Sequence, residues 1–130
     1  MAIELSMLGW SVVLGLVYVF TASMLATRER GMAWNAGNRD GAAKALGASA
    51  DRASRAVHNF LETFAFFAAA VLALVAAGKT DAQTALAAQA YFWARVAYLP
   101  CYVIGIPYLR SAIWAVSLAA IVYLLYALLV

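Results

Sequence analysis

The sequence has few of the residues on which disulfide-bonded domains and metal enzymes depend. Its 130 residues include one cysteine and one histidine. A single cysteine, Cys101, excludes a disulfide within the chain, and its spacing to His58 matches no metal-binding motif. We therefore expect no metal site, and we interpret Cys101 as a buried structural thiol.

Charged residues are also scarce, at 12% of the chain, whereas hydrophobic residues make up 67%. Soluble domains are roughly half apolar, so this composition predicts an integral membrane protein. The length predicts a single membrane domain over residues 1–130, without a separate soluble domain. No nucleophile-elbow, zinc-protease, P-loop or dinucleotide motif is present. The basic residues lack the interleaved aromatics of a nucleic-acid site, so no nucleic-acid partner is expected.

Four long apolar segments are separated by one long polar loop and two short breaks. Since about 20 apolar residues span a bilayer as a helix, we predict transmembrane helices at about 5–28, 51–78, 82–103 and 108–129, with a loop at about 29–50. The first is interpreted as a retained helix and not a signal peptide, because Glu4 stands where a basic region is needed. The expected fold is an all-α integral membrane protein, an up-down bundle of four transmembrane helices.

Basic residues are concentrated on one side of this predicted bundle. The long loop and the third connection carry Arg28, Arg30, Arg39, Lys44, Arg52 and Arg110, and the other side carries Glu4, Lys79 and Asp81. The positive-inside rule places the basic side in the cytoplasm and both termini on the other side. The alanine-rich, short-looped composition favours a bacterial inner membrane as the location.

Three polar side chains share one face of the second predicted helix. Arg55, Asn59 and Glu62 lie at i, i+4 and i+7, and His58 lies beside them as a hydrogen-bonding neighbour. Glu62 falls at least one turn inside the apolar part of the helix. An ionisable side chain at that depth is costly without a partner, so it indicates a functional site.

The third predicted helix supplies a matching set. Arg95, Tyr98 and Tyr102 lie at i, i+3 and i+7, again on one helical face. Because helices two and three are antiparallel, the two sets lie at similar depth. We predict an ion pair between Glu62 and Arg95, for which a purely structural role is the alternative. The remaining polar side chains exceed what one carboxylate needs, and this surplus favours a polar, anionic ligand.

Arg110 and Ser111 fall in the first turn of the fourth predicted helix, just after Pro107. A helix N-terminus attracts anions through its free N–H groups and its dipole. With a guanidinium and a hydroxyl added, it suits a thiolate, because such surroundings lower the pKa of a thiol. The alternative is an arginine that reaches lipid phosphates. Arg28 and Arg30 are interpreted as positive-inside charges or as contacts for a ligand carboxylate.

Three stretches, RASRAVHNFLE, RVAYLPCY and LRS, resemble the MAPEG family of membrane-associated proteins in eicosanoid and glutathione metabolism. The resemblance implies a homotrimer that binds glutathione as a co-substrate at subunit interfaces, near the cytoplasmic side. The ligand-binding residues that it implies are Arg55, Asn59, Glu62, Arg95, Tyr98 and Tyr102, together with Arg28 or Arg30. Arg110, with Ser111 beside it, corresponds to the arginine that holds the glutathione thiolate. Val57 and Thr63 depart from the polar or aromatic contacts of several members.

The sequence leaves two main functions open. The first is a membrane enzyme similar to microsomal glutathione transferases, a transferase or peroxidase. In it, Arg110 and Ser111 activate the glutathione thiolate for attack on a lipophilic electrophile or lipid hydroperoxide from the membrane. The second is a non-catalytic lipid-binding or scaffold protein of the same fold. A proton relay or small transporter using Glu62, Arg95 and His58 is a third alternative, which inverted repeats would support; none is visible.

Overall fold

The computed structural model describes residues 1–130 and contains five α-helices and no β-strand. The helices are α1 (Ile3–Arg30), α2 (Met32–Ala36), α3 (Ala48–Ala76), α4 (Ala82–Ile104) and α5 (Pro107–Leu129). The predicted all-α class is therefore confirmed. The short helix α2 lies inside the predicted loop, where the sequence shows no apolar periodicity.

The four long helices run alternately up and down, and contacts at their ends fix this arrangement. At one end, the Nζ of Lys79 donates to the carbonyl oxygen of Leu128 at 2.8 Å, and the hydroxyl of Thr84 donates to the carboxylate of Glu4. The starts of α1 and α4 therefore lie beside the ends of α3 and α5. We call this the far end. At the other end, called the basic end, Arg52 joins the start of α3 to the last turn of α4.

Two tight connections set the directions of α3, α4 and α5. Gly78 follows α3 with a φ of 67°, and Asp81 caps α4 by accepting two backbone N–H groups of its first turn at 2.8 Å each. After α4, Gly105 adopts a φ of 92°, in the left-handed region that glycine tolerates. Pro107 opens α5, where its missing N–H is no loss. The chain therefore reverses direction before α4 and again after it, each time within a few residues.

Two apolar clusters hold the long helices together. The cluster toward the far end includes Phe67, Tyr91 and Leu124, and the rings of Phe67 and Tyr91 stack with centroids 3.9 Å apart. The cluster toward the basic end includes Tyr18 and Phe60. Both clusters contain buried alanines of α3 or α4, and such small residues let helices approach closely. The basic-end cluster lies beneath the polar side chains at the same end of the bundle.

Three helices, α1, α3 and α5, are long and apolar enough to cross a membrane, as judged by length and composition. Large apolar side chains on their outer surfaces are exposed, among them Phe20, Leu72 and Val122, as expected of surfaces that meet lipid. The helix α4 carries Arg95 and two glutamines and is not among the helices that are long and apolar enough to cross a membrane. The predicted membrane class is supported, and a fourth crossing by α4 stays a prediction.

Candidate functional site

A small basic pocket opens at the basic end, where the start of α3, the end of α4 and the start of α5 meet. Its walls are formed by Arg52, Arg55, Tyr102, Gly105, Ile106, Pro107 and Arg110, around a cavity of about 210 Å³. Three of these side chains carry a guanidinium, and none carries a carboxylate. This pocket, called the arginine pocket below, is therefore suited to an anion.

Arg110 lies half-buried in the first turn of α5 and contacts two tyrosines of α4. Its Nη1 donates to the hydroxyl oxygen of Tyr98 at 3.4 Å, and its guanidinium carbon lies 4.8 Å from the centroid of the Tyr102 ring. The two tyrosine rings meet edge to face, with centroids 5.5 Å apart. A guanidinium has five N–H donors, so most of those of Arg110 have no protein partner. The structure thus brings together three residues that the sequence had placed on two different helices.

Arg52 closes the opposite wall of the pocket. Its Nε and Nη2 donate to the carbonyl oxygen of Val103, at 3.1 and 2.9 Å, and so satisfy a carbonyl at the end of α4 that has no partner within the helix. Gly105 lies directly beneath, and a Cβ at that position would lie 3.1 Å from the guanidinium carbon of Arg52. The glycine is therefore needed for its left-handed backbone and for the close approach of Arg52.

Arg55 lies at the mouth of the pocket. It forms an ion pair with Asp51 at 3.2 Å, with both side chains more than half exposed, and its guanidinium carbon lies 5.7 Å from the centroid of the Tyr102 ring. Exposed pairs of this kind contribute about 0–1 kcal/mol. Exchange of Asp51 for a ligand carboxylate would therefore cost little.

Arg95 is fully buried beneath the pocket, and its observed partners correct one prediction. Its Nη1 donates to the Asn59 side-chain oxygen at 2.7 Å, and its Nη2 donates to the Thr63 hydroxyl at 2.8 Å. Its guanidinium carbon lies 4.9 Å from the centroid of the Tyr98 ring. The predicted Glu62–Arg95 ion pair is absent. Asn59 and Thr63, four residues apart, lie on the side of α3 that faces α4. Glu62 precedes Thr63 by one residue and therefore points to the outer side of the helix.

Glu62 and His58 are instead exposed on the outer face of α3. They lie four residues apart and therefore one above the other on the helix. Glu62 has no salt bridge or hydrogen bond to another residue of the chain. A carboxylate on the outside of a membrane-spanning helix is costly unless something polar covers it. Within the chain, nothing polar covers the Glu62 carboxylate on this face of α3.

Comparison with known proteins gives one match. The profile of the MAPEG family matches residues 7–130, which is nearly the whole chain. The chain belongs to the MAPEG family. No curated protein and no solved structure matches it significantly. The MAPEG family includes glutathione transferases and other proteins of eicosanoid and glutathione metabolism, and its members are membrane proteins, in agreement with the three apolar helices.

Seven of the ten predicted site residues lie outside the walls of the arginine pocket. Asn59, Glu62, Arg95 and Tyr98 are described above, and Arg28, Arg30 and Ser111 are the other three. Arg28 is exposed at the end of α1, and the Nε of Arg30 donates to the carbonyl oxygen of Lys44 at 2.8 Å. Ser111 is exposed, and its hydroxyl donates to the carbonyl oxygen of Pro107 at 3.3 Å. None of these three lines the pocket around Arg110.

Two residues of the network were not identified from the sequence. Thr63 had been noted only as a departure from relatives, yet its hydroxyl replaces Glu62 as the partner of Arg95. Tyr18 of α1 is fully buried, and its hydroxyl donates to the backbone oxygen of Arg95 at 2.5 Å. A tyrosine in the middle of an otherwise apolar span was the available signal for Tyr18, since a buried hydroxyl requires a partner.

Proposed function

We propose that this MAPEG protein is a membrane-bound glutathione transferase or peroxidase, acting on a lipophilic electrophile or lipid hydroperoxide that reaches it from the bilayer. The observation that carries this proposal is the arginine pocket, in which three guanidiniums converge and no carboxylate is present. Glutathione has two carboxylates and one ionisable thiol, so its charged groups are complementary to this wall.

In the proposed site, Arg110 holds the sulfur of glutathione as a thiolate. The first N–H groups of α5 have no partner within the helix, and the helix dipole adds to the positive charge of the guanidinium. Both effects lower the pKa of a bound thiol and raise the fraction of the reactive thiolate at neutral pH. Arg52 and Arg55 hold the carboxylates, and the hydroxyl of Tyr98 fixes the orientation of Arg110.

Glutathione supplies the nucleophilic sulfur, which bonds to the carbon of an electrophile as its leaving group departs with the electron pair. With a hydroperoxide, the sulfur bonds to the terminal oxygen as the O–O bond breaks, and the alkoxide leaves with the electron pair and takes a proton to become the alcohol. The thiol of a second glutathione then attacks the sulfur of the resulting sulfenic acid, which gives the disulfide and water. Arg110 stabilises the negative charge on sulfur before either step. The ring of Tyr102 shields one side of the guanidinium from water, which strengthens the interaction with an anion.

We further propose that the working site is completed in a homotrimer. The cavity in one chain, about 210 Å³, is smaller than the roughly 300–1,000 Å³ of sites that enclose a small-molecule ligand. The outer face of α3 carries Glu62 without a partner. A neighbouring copy against this face would bring Glu62, with Arg28 or Arg30, to the ligand. Ser111 belongs to the proposed site only if the ligand draws its hydroxyl away from Pro107.

The proposed orientation follows from the helix order. Since α3 ends at the far end and α5 begins at the basic end, α4 crosses the membrane between them if its two neighbours do, which gives four crossings. The positive-inside rule then places the basic end and the arginine pocket in the cytoplasm, with a bacterial inner membrane as the proposed location.

A non-catalytic lipid-binding or scaffold role is the second candidate, and one observation favours it. Arg95 is held by Asn59 and Thr63 inside the bundle, so part of the predicted polar cluster is accounted for as structure. This role predicts that glutathione does not bind.

The test is thermal stability of the detergent-purified protein against glutathione and against an analogue in which a methyl group replaces the thiol. Stabilisation by both ligands, greater with the thiol and reduced in Arg110→Ala, supports the proposal. Lys79→Ala, which removes a positive charge at the far end, is the control and leaves both responses unchanged. If neither ligand shifts the melting temperature at millimolar concentration, the transferase proposal is rejected in favour of the second candidate.

A further inference from the structure

A second cavity lies away from the arginine pocket, between the end of α1, the short helix α2, the following loop and the start of α3. Its volume is about 420 Å³, and it shares no wall residue with the arginine pocket. Its polar lining consists of Ser23, Thr27, Arg30, Asn35, Arg39 and Ser54. We call it the loop cavity. No acidic side chain contributes to its walls.

Two guanidiniums face this cavity, and both are held in place by neutral acceptors. The Nε of Arg30 donates to the carbonyl oxygen of Lys44 at 2.8 Å. The Nη2 of Arg39 donates to the backbone and side-chain oxygens of Asn35 at 2.9 and 2.7 Å. Neither arginine forms an ion pair, and the remaining donors of both have no protein partner. The cavity therefore presents fixed positive charge that the protein does not neutralise.

The two carboxylates adjacent to these arginines along the chain do not change this. Asp40 follows Arg39, but it neither lines the cavity nor forms a salt bridge. Glu29 precedes Arg30, but its carboxylate accepts a hydrogen bond from the backbone N–H of Gly47 at 2.7 Å. A Cβ at Gly47 would lie 2.8 Å from that carboxylate. Glu29 thus fastens the end of the loop to α1 and leaves the two arginines to another anion.

The rest of the wall is apolar and includes residues from the membrane-spanning candidate α1. Ala22 and Ala26 line the cavity from α1, and Trp34 and Leu46 close it from the loop side. Ala22 precedes Arg30 by eight residues, which corresponds to about 12 Å along a helix. The cavity therefore extends from the apolar part of α1 to its charged end, and tryptophan is enriched at this level of a membrane.

We propose that the loop cavity binds an anionic phospholipid, with the phosphate between Arg30 and Arg39 and an acyl chain along Ala22 and Ala26. The apolar wall is the reason for a lipid and not a soluble anion, since inorganic phosphate would satisfy the guanidiniums but leave that wall in contact with water. The loop cavity and the arginine pocket share no wall residue. The proposal requires only that Arg28, and not Arg30, is the arginine that a neighbouring copy brings to glutathione.

The experiment compares lipid retention by native mass spectrometry after extraction from nanodiscs of phosphatidylcholine with phosphatidylglycerol. We expect the wild-type protein to retain phosphatidylglycerol in preference to phosphatidylcholine. Each basic residue near a lipid surface contributes about 1 kcal/mol, so the double variant Arg30→Gln/Arg39→Gln should retain it at least about tenfold less. Lys44→Gln is the matched control, because it removes one charge from the same loop and leaves the backbone oxygen that Arg30 uses. It should retain phosphatidylglycerol as the wild type does.

A second variant tests the apolar wall while both arginines remain. Ala26→Leu adds bulk in the acyl-chain path and should also reduce retention of phosphatidylglycerol. Equal retention of the two lipids by the wild type would overturn the proposal, as would an equal loss in Lys44→Gln and the double variant. Displacement of the lipid by inorganic phosphate at low millimolar concentration would identify a soluble anion as the ligand and would also reject the lipid.

Discussion

Arg95 and Arg110 contact the same tyrosine from two sides, but their surroundings differ. Arg95 lies under the ring of Tyr98 inside the bundle and has two neutral hydrogen-bond partners. Arg110 reaches the hydroxyl of the same residue from the rim, with one long hydrogen bond. The first guanidinium is enclosed by the protein, and the second keeps most of its donors for something else.

This difference shows that an arginine inside a membrane protein is not by itself evidence of a ligand site. The two Nη atoms of Arg95 have an amide and a hydroxyl as partners, which accounts for most of this guanidinium as structure, and its buried Nε has no partner. A half-exposed guanidinium beside two others, with no carboxylate in the same pocket, retains unused charge. The two regions should therefore respond to substitution in different measurements, one in stability and the other in activity.

Arg95→Ala should have the largest effect, a loss of about 3 kcal/mol in the free energy of unfolding. The substitution opens a cavity and leaves the Asn59 side-chain oxygen without its donor. The Thr63 hydroxyl loses the bond from Arg95 and keeps only those to backbone oxygens of its own helix. Reversible unfolding in mixed detergent micelles measures it. Arg55→Ala, which removes an exposed arginine one turn from the network, should change stability by less than about 1 kcal/mol. Equal losses in the two variants would show that Arg95 stabilises the fold no more than an exposed arginine does.

Arg110→Ala should lower kcat/KM for a model electrophile about 100-fold, or about 2.7 kcal/mol, and leave the melting temperature close to that of the wild type. The reason is that Arg110 stabilises charge on the thiolate but makes only one long hydrogen bond to the protein. Steady-state kinetics with a chromogenic electrophile measures the rate. Arg110→Lys keeps the charge and should recover part of it. Unchanged turnover in Arg110→Ala would remove Arg110 from the proposed mechanism.

Gly105→Ala should destabilise the protein by about 1–3 kcal/mol, because alanine is strained at a positive φ. It should also move Arg52, which lies 3.1 Å from the site of the added Cβ, and so weaken glutathione binding. Gly9→Ala is the control, since a Cβ there meets nothing within 4 Å and alanine favours a helix. Thermal melts with and without glutathione separate the two effects, and equal melting temperatures for both variants would speak against this account.

Thr63→Val should have the smallest effect, a loss of about 1 kcal/mol in the free energy of unfolding. The change keeps the shape of the side chain but removes the acceptor for one donor of Arg95. Thr21→Val is the control, because the Thr21 hydroxyl bonds only to the carbonyl oxygen of Val17 in its own helix. The same unfolding assay applies, and a loss in Thr21→Val as large as that in Thr63→Val would show that Arg95 does not need the hydroxyl.

The sequence predicted the helical class and the pairing of α3 with α4, because long apolar runs and glycine or proline breaks specify both. It could not choose the side chain that meets Arg95. Positions 62 and 63 are neighbours in the sequence, and the spacing from Asn59 allows either to share its face. Charge favoured Glu62, but the rotation of α3 against α4 places Thr63 inside.

The arginine pocket was predicted in part. Spacing placed Tyr98 and Tyr102 on one face of a helix, and the resemblance to the MAPEG family added Arg110 to the same site. Arg52 could not be assigned to the site in this way, because its partner is the backbone carbonyl of Val103. Every residue has a backbone carbonyl, so the sequence does not indicate which one accepts from Arg52. The path of the chain around Gly105 places the Val103 carbonyl within reach of Arg52.

The contact between Glu4 and Thr84 has a consequence for how the protein is made. The two residues are 80 positions apart, and chains grow at about 5–20 residues per second. At those rates, Glu4 is synthesised some 4–16 seconds, in round terms, before Thr84 exists. Likewise, the hydrogen bond from Tyr18 to the backbone oxygen of Arg95 cannot form until Arg95 has been synthesised. The first helix can pack against α3 as soon as α3 is made, as the contact between the rings of Tyr18 and Phe60 indicates. Its two polar contacts with α4 form only when the third long helix has been synthesised.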